Sequence, residues 1–304
     1  MKTTGESRPL VSFDWAIKRL LRNKANFEVL EGFLSELLRC SIKIAQILES
    51  ESNQETYRDK FNKVDILVED EKKELMIIEL QYTREFDYFH RMLYGASRVI
   101  IDNLFKGSEY VKVKKVYSIN IAYFDLGDGS DYVYHGKTHF KGIHTQDELH
   151  LSALQREKFG KMEVGDLHPE YYILKVNHFN DVAKDTLDEW IYYLKNNAIK
   201  DEFTAQGLDK AREILNYDLL SPDEKRNYDK DLDAVLGEAS AIYTAKEEGK
   251  IEGKIEGIEE GIEKGIEKRN KEIVLNAHRS ALTVETIRSL TGLSQEEIQA
   301  IIES

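Results

Sequence analysis

Residues 63–82, KVDILVEDEKKELMIIELQY, contain two short apolar runs separated by the charged turn DEKKE. Runs of Ile, Val and Leu of this length, bounded by a turn, predict a β-hairpin of strands 63–70 and 74–82. Alternation along the second strand puts Ile77, Glu79 and Gln81 on one face and Met76, Ile78 and Leu80 on the other. Antiparallel pairing then brings Asp65, near the start of the first strand, towards Glu79, late in the second. Glu79 interrupts the apolar run MIIEL. A carboxylate buried there without a partner costs several kcal/mol, so the position calls for a cation. On an edge strand the same Glu79 and Gln81 would simply face water.

Upstream, the spacing of Phe13, Ile17, Leu20 and Leu21 predicts a short helix over about 10–22, with Ser12 as its N-cap. A second helix is expected over about 26–40, its core face formed by Phe27, Leu30, Phe33, Leu34, Leu37 and Leu38. Cys40, in the apolar stretch FLSELLRCSIKIAQIL, is expected to be a buried thiol. The polar stretch 49–59 is a loop or a frayed helix end. Downstream, 85–106 returns to helical spacing through Phe86, Phe89, Leu93 and Val99. The segment 111–126, VKVKKVYSINIAYFDL, ends in a run apolar enough for a central strand. Helices, hairpin, helix and strand in that order indicate an α/β core. Short aromatic strands (DYVYH, YYILKVNHF) and a helix over about 183–198 follow, then more helical sequence to about 215 and another helix from the Ser-Pro at 221.

Between 245 and 270, glycines 249, 253, 257, 261 and 265 recur every four residues beside Ile251, Ile255, Ile258, Ile262 and Ile266. Each interior glycine costs a helix about 1 kcal/mol against alanine. Close pairing with another helix and a charged linker are both compatible with the stretch. The last segment predicts helix, turn, helix, with Ser294 and Glu297 forming a capping box and Gly292 ending the preceding helix. The expected division is therefore a domain over 1–235, a helical repeat or linker over 236–271, and a small helix-turn-helix-like segment over 272–304.

With 304 residues, 41% hydrophobic, the chain can bury one substantial core plus a smaller unit. One cysteine excludes a disulfide framework. MKTTGESRPL lacks an apolar signal core, and no run approaches the roughly 18 residues of a membrane helix. A cytoplasmic protein is expected. The net charge of −13 argues against nucleic acid as a partner, but its distribution does not. Residues 1–120 hold 20 basic against 19 acidic side chains, so the acidity belongs to the C-terminal half. No Ser-His-Asp, Cys-His or phosphate-loop motif is present. Histidines 135, 139, 144 and 150 have no zinc-like spacing.

Hydrolysing a phosphodiester needs an activated water and neutralisation of charge on the phosphate, and a divalent cation held by carboxylates supplies both. Mg²⁺ takes few protein carboxylates, which suits Asp65 and Glu79. Arg84, Arg91 and Arg98 recur every seven residues, which predicts one side of the helix after the hairpin. They form either a basic stripe for a DNA backbone or a solvated face.

The layout VDILVEDEKKELMIIELQ, then FHRMLYGASRVI, then KGSEYVKVKKVYSINI, resembles the recombination-promoting nuclease and transposase family, a branch of the PD-(D/E)XK nucleases. FDWAIKRLL resembles that family's N-terminal D-x-x-x-K element through Asp14 and Lys18. LDEWIYYLK at 187–195 and the Gly/Glu/Lys repeat match as well. The resemblance implies a restriction-endonuclease-like α/β fold, a mixed sheet flanked by helices with a helical C-terminal extension. It also implies a Mg²⁺-dependent DNA endonuclease (Mn²⁺ and Ca²⁺ being further candidate ions) serving recombination, mobile elements or defence. In it Asp65 and Glu79 hold the metal and Gln81 takes the place usually given to lysine. Gln81 can orient a water or a phosphate oxygen but cannot carry charge or transfer a proton. Lys18 is a candidate for the missing cation, with Asp14 beside it as a third metal carboxylate. The alternative is a degenerate nuclease core that acts as an interaction protein, forming a homo-oligomer through its C-terminal repeat.

Overall fold

In the computed structural model, which describes residues 10–19, 21, 23–48, 65–104 and 109–303, the hairpin forms as expected. Strand β2 (Ile66–Asp70) pairs antiparallel with β3 (Leu75–Gln81), Ile66 opposite Ile78 and Val68 opposite Met76. The turn closes on itself: Asp70 Oδ1 accepts from Glu74 N at 2.8 Å, and Lys73 adopts the left-handed conformation at φ 68°.

Around this hairpin the elements run α1 (Phe13–Arg19), α2 (Phe27–Leu38), β1 (Ile44–Leu48), β2, β3, α3 (Tyr88–Asp102), β4 (Val116–Ala122), β5 (Val133–Gly136), α4 (Ala153–Phe159), β6 (Glu170–Lys175), α5 (Thr186–Asn196), α6 (Leu208–Ile214), α7 (Pro222–Arg279), α8 (Val284–Thr291) and α9 (Gln295–Glu303). Six strands form one mixed sheet in the order β1-β2-β3-β4-β6-β5. The central pairs β3/β4 and β4/β6 are parallel, and α3 makes the crossover from β3 to β4. This is the sheet flanked by helices that the sequence predicts.

One face of the sheet carries Ile66, Val68, Met76, Ile78, Ile119, Ile121 and Leu174, packed with residues of α1, α2, α5 and α6. Phe13, Phe33, Trp190 and Tyr193 meet there edge-on or tilted, with centroids 5.4–6.1 Å apart, the geometry aromatic quadrupoles prefer. Gly32 permits close approach, since a Cβ there would lie 2.2 Å from the Gln206 carbonyl oxygen. Ser12 caps α1 as expected, its Oγ accepting from Trp15 N at 3.4 Å. The other face receives α3, with Ala96 and Val99 on Leu67, Leu75, Ile77 and Val116, and Tyr88 and Met92 on Ala122 and Leu126.

Three expectations need correction. Strand β1 was not foreseen: α2 ends where Arg39 turns left-handed at φ 54°, and five residues are too few to show a period. Cys40 follows that turn and is exposed rather than buried. Helix α3 starts at Tyr88 rather than about 85. Its buried residues are Tyr88, Met92, Ala96 and Val99, while Phe86, Phe89 and Leu93 stand in solvent. The loop expected over 49–59 lies outside the described residues.

The chain divides into two compact units, Met1–Tyr228 and Asp229–Ser304. In the second, Val274, Ala277, Ile287 and Ile298 form a small core. Ser294 and Glu297 make the expected reciprocal cap, and Gly292 ends α8 at φ 72°. The repeat over 245–270 lies within α7, its five isoleucines more than half exposed. Among the described residues no helix is long and apolar enough to cross a membrane.

Candidate active site

The alternation of β3 turns Met76, Ile78 and Leu80 into the larger core and leaves Ile77 and Glu79 beneath α3. Continuing the β2/β3 register by one residue sets Asp65 opposite Glu79. Asp65 is held there by its own side chain: Oδ2 accepts from Leu80 N at 2.7 Å. The parallel register puts Asn120 of β4 on the other side of Glu79, and Ala122 beside Gln81.

Helix α3 closes the site from above. Arg91 Nε lies 3.7 Å from Glu79 Oε2, and its Nη1 donates to Glu85 Oε1 at 2.8 Å. That same oxygen accepts from Gln81 Nε2 at 3.0 Å, and the Gln81 amide also donates to the Thr83 carbonyl at 3.3 Å. Tyr88 is fully buried and its hydroxyl donates to Asn120 Oδ1 at 3.3 Å. The Asn120 amide donates to Ser118 and to the Tyr172 carbonyl, so this polar layer is tied to β4 and β6.

Glu79 is only 9% exposed. Burial pushes its carboxyl up to about 7, the Arg91 guanidinium opposes that rise, and the charges of Asp65 and Glu85 add to it. Burial likewise raises the Tyr88 phenol, with the Glu79 charge next in effect. A buried carboxylate facing a second carboxylate is a poor arrangement for two anions and a good one for a divalent cation. The donor set is therefore suited to a hard cation: the oxygens of Asp65 and Glu79, with room in the coordination sphere left to waters and phosphate oxygens. Among the described residues no group of three or more His, Cys, Asp and Glu is placed to hold a metal.

Of the residues singled out in the sequence, Asp65, Glu79, Gln81 and Arg91 are brought together. Asp14 is buried in α1, whose neighbouring residues Phe13, Ala16 and Ile17 belong to the larger core on the face of the sheet opposite α3. Lys18 lies in α1, but its side chain lies outside what the structure describes. The arginine stripe is corrected. Arg84 precedes α3 and lies over the Phe86 ring, Arg91 is spent on two carboxylates, and Arg98 pairs with Asp102 at 2.9 Å on the exposed face. The histidines find ordinary partners, His135 with Glu170 and His139 with Glu148.

Three participants escaped the sequence reading: Tyr88, Glu85 and Asn120. Asn120 carried a signal. It shares a face with Ser118 in the apolar run of β4, as Glu79 does in MIIEL, and a polar residue there is costly unless paired.

A family model described as PD-(D/E)XK nuclease family transposase matches residues 11–245, which span the sheet, both helical layers and every residue of this site. No curated protein and no solved structure shows a significant match. Nucleases of this kind act on DNA and generally use divalent metals, for which the Asp65–Glu79 pair is suited. With its hairpin carrying the paired acids and more than half its length matched, the chain belongs to the PD-(D/E)XK nuclease family transposases.

Proposed function

We propose that the chain is a Mg²⁺-dependent DNA endonuclease acting in recombination, mobile-element movement or defence. The observation that carries this is Glu79, a buried carboxylate raised to about 7 opposite Asp65 and under Arg91. Asp65 and Glu79 hold the cation. When bound, that cation supplies an activated water and offsets charge on the scissile phosphate. Glu79 gives up its proton to take that role. Arg91 fixes the Glu79 carboxylate and provides the positive charge that Gln81 lacks, so the cation usually carried on the strand comes instead from α3. Gln81, held by Glu85 and Thr83, orients water or a phosphate oxygen through its amide. Lys18 is a second candidate cation, and Asp14 a candidate third carboxylate beside it.

Plasmid cleavage with Mg²⁺, Mn²⁺ or Ca²⁺ tests the site. Metal-dependent nicking that disappears in both Asp65→Ala and Glu79→Ala is expected, whereas nicking untouched by either rejects it. Unimpaired nicking by Lys18→Ala removes Lys18 from the mechanism.

The exposed isoleucines of α7 support self-association through residues 245–270. Light scattering on a chain ended after about residue 240 checks this, and an unchanged mass excludes it.

A further inference from the structure

The apolar spacing that the sequence suggests for the core face of α3 belongs instead to solvent. Phe86 is 95% exposed, Phe89 50% and Leu93 57%. Phe86 heads this stripe in the link between β3 and α3, next to Glu85, whose carboxylate joins Gln81 to Arg91. The Arg84 guanidinium carbon sits 5.4 Å from the centroid of the Phe86 ring. A ring left this exposed gives the fold almost nothing, so packing does not account for a phenylalanine directly after Glu85.

We infer that Phe86, flanked by Arg84, stacks on an unstacked DNA base beside the scissile phosphate, so that the preferred substrates are DNAs with an interrupted base stack. This rests on the nuclease reading above. Three features favour nucleic acid over a protein partner. The ring stands on the link that carries the catalytic bridge. The cation beside it matches a phosphate. Phenylalanine has no hydrogen-bonding group, and stacking accepts any base because each presents a π-face. In continuous duplex both faces of a base are already covered, and opening a step is costly. Single-stranded tails, bulges and junctions offer a free face at no such cost.

The test uses the full chain carrying Glu79→Gln, without added divalent cation, with 2-aminopurine placed in a bulge, in a single-stranded tail or within continuous duplex. Phe86→Ala is expected to weaken binding to the bulged and tailed DNAs about tenfold or more and to leave continuous duplex nearly unchanged. Phe86→Trp restores binding and quenching. Equal binding by Phe86→Ala on all three DNAs overturns the inference, and so does an equal loss on all three. A change in mass by light scattering, with DNA binding intact, also overturns it and assigns the stripe to a second copy of this chain. Plasmid cleavage by the chain with an intact Glu79 separates the two claims. Cleavage without a Phe86-dependent preference removes the stacking role alone, whereas Phe86-dependent binding without any metal-dependent cleavage upholds it and removes the nuclease activity.

Discussion

Arg91 Nε and Glu79 Oε2 lie 3.7 Å apart, and the same guanidinium is bonded to Glu85 at 2.8 Å, so one arginine serves two carboxylates that belong to a strand and to the link after it. Its charge is what keeps the rise of Glu79 in check. Replacing it with Arg91→Met removes that opposition and moves Glu79 above about 7. The pH–rate profile of metal-dependent nicking is expected to shift upwards, with lower activity at pH 7. Arg91→Lys, a point charge without the fork, should recover part of the loss. A profile that stays in place excludes Arg91 from the control of Glu79.

Glu79 also makes folding depend on pH. Its carboxyl is raised in the folded chain, so between about 4.5 and about 7 the folded state binds more protons than the unfolded state. Stability contributed by the protonated form is present below that window and declines as pH rises through it, by about 3 kcal/mol at most. Glu79→Gln keeps the shape and removes the charge. It should therefore be more stable than the parent at pH 8 and nearly equal at pH 4.5. Chemical denaturation at the two pH values measures this, and equal stabilities at pH 8 refute it. In the parent chain a divalent cation competes with the same proton, so its stabilising effect in a thermal titration should be stronger at pH 8 than at pH 6.

Asp65 and Glu79 were legible in the sequence because their placement needs only local rules. A period of two and a short turn fix which side chains share a face and which ends meet. Arg91 was visible as one of three regularly spaced arginines, yet its partner was not. That pairing depends on which face of α3 packs on the sheet, and two stripes at helical spacing compete for it. The buried set Tyr88, Met92, Ala96 and Val99 is less conspicuous in the sequence than the exposed Phe86, Phe89 and Leu93. Asn120 and β6 join the site only through a parallel crossover, which no local spacing reveals.

Asn120 ties the floor of the site together, accepting from Tyr88 and donating to Ser118 and Tyr172. Asn120→Ala strands the Tyr88 hydroxyl in a buried place and leaves two strand carbonyls with one donor fewer. A loss of about 2–3 kcal/mol is expected, with Tyr88→Phe costing about 1 kcal/mol. The double variant should cost less than the sum, because the second change removes the group that the first left unpaired. Urea denaturation of the four proteins measures the coupling, and strict additivity would show that the Tyr88–Asn120 bond contributes nothing.

The sheet holds a second buried carboxylate whose surroundings make it the control for Glu79. Glu170, the first residue of β6, accepts from Lys115 Nζ at 2.7 Å and contacts His135 Nε2 at 2.8 Å. Lys115 in turn donates to the His168 carbonyl at 2.6 Å and to that of Gly165 at 3.3 Å. Burial alone would raise Glu170, but the Lys115 and His135 bonds outweigh it and hold the carboxyl below its ordinary range. Here the protein supplies the cation itself, and the position asks for no ligand. Lys115→Met leaves the Glu170 charge buried with His135 alone and should cost about 3–5 kcal/mol. Lys115→Met with Glu170→Leu should regain most of that, because both charges leave together. Nicking per folded molecule should not change in either variant, since this pair sits at the opposite strand ends from Glu79. The two carboxylates then separate cleanly: a divalent cation should raise the thermal midpoint of the double variant as much as that of the parent, while Glu79→Gln should abolish the rise. A cation effect lost in the Lys115/Glu170 variant would move the metal away from Asp65 and Glu79.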